Sequence, residues 1–255
     1  MRHKKLRTAL VTGAAQRIGR IIVEDLAAHE FAVAIHANHS LEKAEELAAE
    51  LRHKGRTAVA VQAELTDTGQ TAALLEQAAG AIGPIGLLVN NASVFRHDTV
   101  QHFDSAIWEE HFAVHVRAPS MLAAAFAQQL PEEATGLVVN IIDQRVWSLN
   151  PRFYSYTLSK SALWTATQTM AQALAPHVRV NGIGPGPSMP SSRQSMDDFQ
   201  AQINALILKI GPQPEEFGRT IRFLFDTPSI TGQMIALDGG QHLRWQTPDV
   251  LEIKE

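Results

Sequence analysis

Tyr156 and Lys160 stand four residues apart in the run Tyr-Thr-Leu-Ser-Lys. On a helix, positions four apart share a face, so this spacing predicts a phenol beside an ammonium. A free tyrosine has a pKa of about 10 and is a poor acid or base at neutral pH. A nearby cation favours the phenolate and lowers that value, as general acid-base chemistry requires. Asp143, thirteen residues before Tyr156, adds a carboxyl group that accepts a hydrogen bond, or donates one when protonated. A second stretch with chemical potential is Thr12-Gly-Ala-Ala-Gln-Arg-Ile-Gly19. Gly13 allows a tight turn and Gly19 a close approach of helix to sheet, and the unpaired N–H groups of a helix N-terminus suit a pyrophosphate.

These groups need elements to hold them. Short apolar runs at Thr8–Val11, Phe31–Ile35, Thr57–Val61, Ile85–Val89, Leu137–Ile142, Val178–Ile183 and Met234–Leu237 read as buried strands. Amphipathic segments alternate with them. Leu41–Arg52 carries Leu41, Ala44, Leu47, Ala48 and Leu51 at helical spacing, and residues 154–175 read as the helix of the Tyr-Lys pair. The alternation predicts an α/β fold, a Rossmann-like doubly wound parallel sheet of about seven strands with helices on both faces. In such sheets ligands sit at the carboxyl ends of the strands, beside the point where strand order reverses. Residues 1–255 read as one domain without repeat or linker. Gly184–Ser195 holds three prolines and two glycines and is expected to be irregular. It opens a stretch, residues 184–210, expected to bind substrate; whether as a lid or as a fixed connector stays open.

Composition narrows the partners. The chain has 255 residues, 45% hydrophobic and 19% charged, values of a globular protein rather than a disordered one. A net charge of −4 argues against nucleic acid. Without cysteine, disulfides and thiol catalysis drop out, and a reducing cytoplasm is the expected compartment. No apolar stretch reaches the length of a membrane span, and the run after the basic Met1–Arg7 stops at Val11, too short for a signal-peptide core. Eleven histidines invite a metal reading. His111 with His115, and His36 with His39, have bridging spacings, but neither pair has the further ligand and glutamate of a zinc peptidase motif. No metal is expected.

The second strand leads into His36-Ala-Asn-His-Ser40. An acid there would accept from the ribose hydroxyls of a cofactor that lacks a 2′-phosphate, and would repel a phosphate. None is present, so NADPH is expected, with Asn38, His39 and Ser40 as donors beside His36. Asn90-Asn-Ala-Ser93 closes the fourth strand; its asparagines can bond neighbouring backbone, and the small Ala92 lets a cofactor approach.

With Val180-Asn-Gly-Ile-Gly-Pro-Gly186 and Ile230-Thr-Gly…Asp238-Gly-Gly240, these motifs follow the order and approximate spacing of the short-chain dehydrogenase/reductase family, which the chain resembles over essentially its whole length. The resemblance implies a nicotinamide cofactor and a homo-oligomer, dimer or tetramer. It implies that Tyr156 donates a proton, and that Lys160 holds the nicotinamide ribose and lowers the tyrosine pKa. Ile18, Leu65, Asn91, Pro185, Gly186 and Ser188 join the implied cofactor contacts. Glu64 stands where the family has an aspartate bonding the adenine amine, and its longer side chain would reach less rigidly.

Three departures point further. Asp143 stands for the family's serine, Arg17 for the middle glycine of the first turn, and Ser93 for the glycine of Asn-Asn-Ala-Gly, with Phe95 two residues on. The combination resembles the pteridine reductase branch. There Arg17 and Ser93 would contact pterin and cofactor phosphates, Phe95 would sandwich the pterin against nicotinamide, and Asp143 would partner ring nitrogens. A flat heteroaromatic ring stacks well on phenylalanine. His115 occupies the place of an asparagine whose backbone carbonyl holds a relay water. Pro119 has no N–H for that carbonyl, so the relay is expected to survive through the backbone, with His115 packing or assisting among the catalytic groups.

The expected function is NADPH-dependent reduction of a dihydropterin-like small molecule. Two other readings stand beside it: a reductase of a 3-oxoacyl thioester or sugar ketone, and a nucleotide-sensing binding protein without turnover. Tyr154 is expected to pack; Trp147 either lines the pocket or packs. The alanine-rich Leu122–Ala127 and Ser161–Ala175 read as core helices whose small residues also suit contact between subunits.

Overall fold

Seven apolar runs of the sequence become one parallel sheet. The computed structural model describes residues 4–190, 194–247 and 251. Its strands are β1 (Lys4–Lys5), β2 (Thr8–Val11), β3 (Ala32–Ala37), β4 (Ala58–Gln62), β5 (Leu87–Asn90), β6 (Ala134–Ile141), β7 (Val178–Pro185) and β8 (Met234–Leu237). The order across the sheet is β4-β3-β2-β5-β6-β7-β8, and every pairing is parallel. Val11 lies between Ile35 on β3 and Val89 on β5. The order therefore reverses at β2 and β5, where a crevice opens at the strands' carboxyl ends.

Side chains alternate across a strand, and the core divides accordingly. Val11, Ile35, Val89 and Val139 face the layer of α1 (Arg17–Ala28), α2 (Leu41–His53) and α8 (Pro214–Asp226). Leu10, Ala34, Leu88 and Val138 face α3 (Thr68–Ile82), α5 (Ala118–Gln129) and α6 (Tyr154–Ala173). Burying one such leucine or isoleucine contributes about 1.5–3 kcal/mol. Two elements at the site complete the fold. α4 (Ser105–Phe112) passes through a π-helical turn, Ala113–Arg117, into α5, and α7 (Met196–Asn204) lies on the surface with none of its residues buried.

The structure amends three sequence expectations. β7 continues through Gly184 and Pro185, the first residues of the stretch expected to be irregular, because both still pair with β8 at Ala236 and Leu237. A proline at the last strand position forfeits only a terminal N–H. Ser191, Ser192 and Arg193 of that stretch lie outside the described residues. β1 was not foreseen: two lysines carry no apolar pattern, yet they pair with Ala134 and Thr135 at the start of β6. Strand ends elsewhere move by one to three residues, as at β5, which starts at Leu87 rather than Ile85.

Candidate active site

Sterics fix the turn after β2. Gly13 has φ +60°, and a Cβ there would come within 2.8 Å of Ala92 Cα. A Cβ on Gly19 would press on the Gly13 carbonyl and stand 2.6 Å from Asn91 Nδ2. Glycine alone serves at both positions. Arg17 keeps a left-handed backbone, φ +55°, at a cost of about 1–2 kcal/mol. Its Nη1 donates to the Pro190 carbonyl at 3.2 Å and ties the turn to the segment after β7. Asn91 acts as a brace: Nδ2 donates to the Thr12 and Gly13 carbonyls, each at 2.9 Å. Its neighbour Asn90 donates to Asn140 Oδ1 on β6 at 2.8 Å.

Gln16 makes no side-chain cap on α1, which leaves the first N–H groups of that helix to border a cavity of about 750 Å³. Gly13, Arg17, Ile18, Gly19, Asn38, His39, Ser40, Glu64, Leu65, Asn91 and Ala92 all line it. A cradle that a Cβ would fill, an uncapped helix N-terminus and this volume fit a dinucleotide. Ser40 starts α2 without spending its hydroxyl on a cap. Glu64 accepts from Asn38 and from the Thr66 N–H. Burial works to raise its pKa, but those hydrogen bonds outweigh it and hold the carboxyl below its ordinary value.

His36 borders the cavity from the scaffold side. Its Nδ1 accepts from the Gly13 N–H at 3.0 Å, and its Nε2 lies 3.0 Å from the Ala63 carbonyl, to which it donates. Both ring nitrogens are spent on the scaffold, and burial holds the ring neutral by lowering its pKa. It lines the cavity without a donor to offer. Lys43, which the sequence reading passed over, also lines it, with Nζ 3.5 Å from Gln16 Oε1. Its position in the first turn of α2, just past Ser40, was the available signal.

A second cavity of about 300 Å³ shares Arg17, Ile18, Asn91 and Ser93 with the first. Phe95, Asp143, Tyr156, Lys160, Pro185, Gly186 and Ser188 line it. Tyr156 Oη donates to Asp143 Oδ2 at 2.9 Å, and Asp143 Oδ1 accepts the Arg145 N–H at 2.8 Å. Lys160 Nζ donates to the Ile141 carbonyl at 2.8 Å and stands 5.8 Å from the centre of the Tyr156 ring. The spacing argument placed these groups together correctly and misjudged their electrostatics. Burial, then the Asp143 charge and its hydrogen bond, push Tyr156 well above its ordinary pKa. Burial likewise raises Asp143 and lowers Lys160 to about 8. Burial of the phenol, more than either neighbour, sets the direction, and the Asp143 carboxyl adds to it.

Aromatic rings wall this cavity. Phe95 is 38% exposed. It stacks on Phe153 with centroids 4.2 Å apart and meets the edge of Tyr156 at 4.6 Å, so at most one face is left for a ligand. Phe153 precedes α6 with φ +57° and gives no side-chain cap. The cap comes from far away: the buried Asp98 accepts the Ser155 N–H at 3.1 and 3.2 Å. Nothing local in the sequence marks Asp98 or Phe153. Trp147 packs, against Trp164 and His242, and Tyr154 lies against Trp108.

For His115 the structure favours packing over assisting. Expected to pack or assist near the reacting groups, it is 1% exposed and has both ring nitrogens engaged, with the Val94 N–H and with Ser159. Ser93 Oγ lies 3.0 Å from its Nε2. The ring braces its surroundings and has no nitrogen left for a reacting atom. Among the described residues, no three His, Asp or Glu side chains gather as metal ligands.

Comparison with known proteins follows this geometry. A family model described as short chain dehydrogenase matches residues 7–201. The 3-oxoacyl-(acyl-carrier-protein) reductase FabG of Staphylococcus aureus is 26% identical over 245 residues, 94% of this chain and all of that protein. Two solved structures share far more. FolM alternative dihydrofolate reductase 1 from Brucella canis, complexed with NADP, is 57% identical over 95% of this chain and 96% of its own, with a TM-score of 0.93. Its counterpart from Brucella suis, also with NADP, is 58% identical over 95% and 98% of the two chains, again with a TM-score of 0.93. The left-handed arginine turn, the Asp143–Tyr156 pair and Phe95 beside it thus stand in a chain that belongs to the short-chain dehydrogenase/reductase family, in its pteridine reductase-like branch.

Proposed function

We propose that the protein is an NADPH-dependent reductase of a dihydropterin-like small molecule. The observation that carries this is the Tyr156–Asp143 hydrogen bond beside Phe95, in a chain 57% identical to a protein solved with NADP and described as an alternative dihydrofolate reductase. Gly13, Gly19 and the start of α1 would hold the cofactor pyrophosphate, and Asn38, His39, Ser40 and Lys43 the 2′-phosphate. When bound, the reduced nicotinamide supplies a hydride to the carbon of a C=N or C=O bond. Tyr156 gives its proton to the nitrogen or oxygen of that bond. An ionised Asp143 would oppose this by holding the phenol proton. Burial favours its neutral form, and a neutral Asp143 passes its own proton to Tyr156 as the phenol releases one. Lys160 and Arg145 stabilise the negative charge that passes through the pair. Phe95, backed by Phe153, would pack against a planar ring, and positioning of this kind removes up to about 7–11 kcal/mol of barrier in well-oriented systems.

The substrate is a small molecule, neither nucleic acid nor membrane. Residues 184–210 contribute Met189 and Gln202 to the cavity wall, which supports their role in substrate binding within one domain. No described helix is long and apolar enough to cross a membrane, consistent with work in the cytoplasm. The family assignment favours a homo-oligomer, dimer or tetramer, which light scattering on the purified chain would settle.

The test is NADPH oxidation with a panel of dihydropterins, run beside NADH and a generic ketone. Turnover of a pterin with NADPH, lost in Asp143→Ala, is expected. Turnover of the ketone alone would shift the reading to the 3-oxoacyl class to which the FabG relatives are assigned. NADPH binding with no turnover on any substrate would favour the nucleotide sensor.

A further inference from the structure

Between β5 and α4 the chain has no regular secondary structure, yet it carries Ser93 and Phe95 to the wall of the substrate cavity. The residues next to them, Val94 and Arg96, turn their N–H groups onto two imidazoles. His115 Nε2 takes the Val94 N–H at 3.1 Å, and His111 Nε2 takes the Arg96 N–H at 3.3 Å. On the far side of each ring, Nδ1 meets a serine of α6, His115 with Ser159 at 2.8 Å and His111 with Ser155 at 2.7 Å. The rings stack with centroids 5.5 Å apart and planes at 18°. Ser155 and Ser159 flank Tyr156 on its helix, as Val94 and Arg96 flank Phe95.

The protons follow from obligation. A backbone N–H only donates, so both Nε2 atoms are acceptors. The Ser159 hydroxyl gives its proton to the Tyr156 carbonyl at 2.8 Å, so His115 Nδ1 carries a hydrogen and donates to Ser159. A neutral ring with an accepting Nε2 bears its proton on Nδ1, and His111 therefore donates to Ser155 in the same way. Burial supports the neutral form by lowering both pKa values. Each imidazole thus spans the gap from the loop to the catalytic helix through a hydrogen bond at either end.

We propose that His111 and His115 are positioning residues that determine substrate specificity: a two-rung clamp that fixes Phe95 and Ser93 at a set distance from Tyr156, and so selects a thin planar substrate. The choice of a planar substrate rests on the dihydropterin reading; the clamp does not. A chain held only by packing would let Phe95 shift with the ligand. Here the amides on both sides of it are pinned.

Glutamine places an acceptor where Nε2 stood and asparagine reaches only the Nδ1 position, so the two substitutions separate the ends of each rung. In His111→Asn and His115→Asn, the Val94 and Arg96 amides should exchange with solvent faster, and KM for a dihydropterin should rise ~10-fold, the equivalent of one or two lost hydrogen bonds. NADPH affinity should stay constant. The Gln variants, which keep only the loop end of each rung, should fall between the parent and the Asn variants in both exchange rate and KM. Ser155→Ala, which perturbs packing least, should speed exchange at Arg96 and supplies the answer if the histidine variants fold poorly. Exchange as slow in the Asn and Ala variants as in the parent, or Gln variants no better than Asn, would overturn the clamp. A parent protein that reduces no dihydropterin would defeat the functional reading instead, while amide exchange would still decide the clamp.

Discussion

Around the larger cavity the chain is held by glycines and by side chains that bond to the main chain of the turn; around the smaller one side chains also bond to one another across the fold, as His111 to Ser155 and His115 to Ser159 do. Gly13 and Gly19 leave no room for a Cβ, and Asn91 and His36 bond only to backbone at the turn and at Ala63. Ser93, Phe95 and Tyr156 depend instead on His111, His115, Asp98 and Phe153. The difference matches what each region is proposed to bind. A dinucleotide presents the same phosphates and ribose to every enzyme that uses it, so a rigid backbone cradle suffices. A particular substrate is read by side chains, which can change without altering the fold.

If the regions are separable, damage to one should leave the other's binding intact. Tyr156→Phe removes only a hydroxyl, and should lower kcat by roughly 10²–10⁴ while calorimetry finds NADPH affinity unchanged. A parallel loss of cofactor affinity would break the separation. Gly19→Ala drives a methyl into the Gly13 carbonyl. It should cost about 1–3 kcal/mol of stability and weaken NADPH binding, measurable by thermal melting with and without cofactor.

Lys43→Ala sharpens the cofactor half. A hydrogen bond to a charged group contributes about 1.5–3 kcal/mol, so NADPH affinity should fall by roughly tenfold or more and NADH affinity should not move. Equal effects on both cofactors would remove Lys43 from the 2′-phosphate site. The pH profile addresses the substrate half. Lys160 titrates at about 8, below its ordinary value, so it is charged below that pH and neutral above it. Turnover should decline as pH rises through 8, and a profile flat to pH 10 would show that the ammonium is not needed. The smallest effect concerns stability. The pKa values of His36, His111 and His115 are all lowered in the folded chain, so below about 6.5 the unfolded chain binds more protons. Stability should therefore fall as pH drops below 6.5, despite the opposing pull of Asp98, Glu110 and Glu64. A melting temperature constant from pH 7 to 5 would contradict the neutral, doubly bonded rings.

Much of this was legible along the chain. Apolar runs placed the strands to within a few residues, because burial on both faces leaves a continuous hydrophobic signature. The Tyr156–Lys160 spacing and the Thr12–Gly19 turn carried their chemistry openly, because a helical repeat and a missing Cβ are local properties. Asp143 stood out through the family resemblance, which places a serine at its position. The direction of the tyrosine's shift did not, since it depends first on how deeply the fold buries the phenol. Nor did His115: its residue type left packing and assisting both open, and only the fold brought Val94 and Ser159 to its two nitrogens.

By itself the sequence determined the sheet and the glycine turn, which follow from periodicity and sterics, and the family, which its motifs carry in order. The tertiary structure alone decided that burial, reinforced by Asp143, raises the phenol's pKa, that both ring nitrogens of His36 bond to backbone, that Asp98 caps the helix of Tyr156, and that two histidines tie the loop of Phe95 to that helix. Those are contacts between segments distant in the chain. Their energies depend on burial and hydrogen-bond direction, which exist only once the chain has folded.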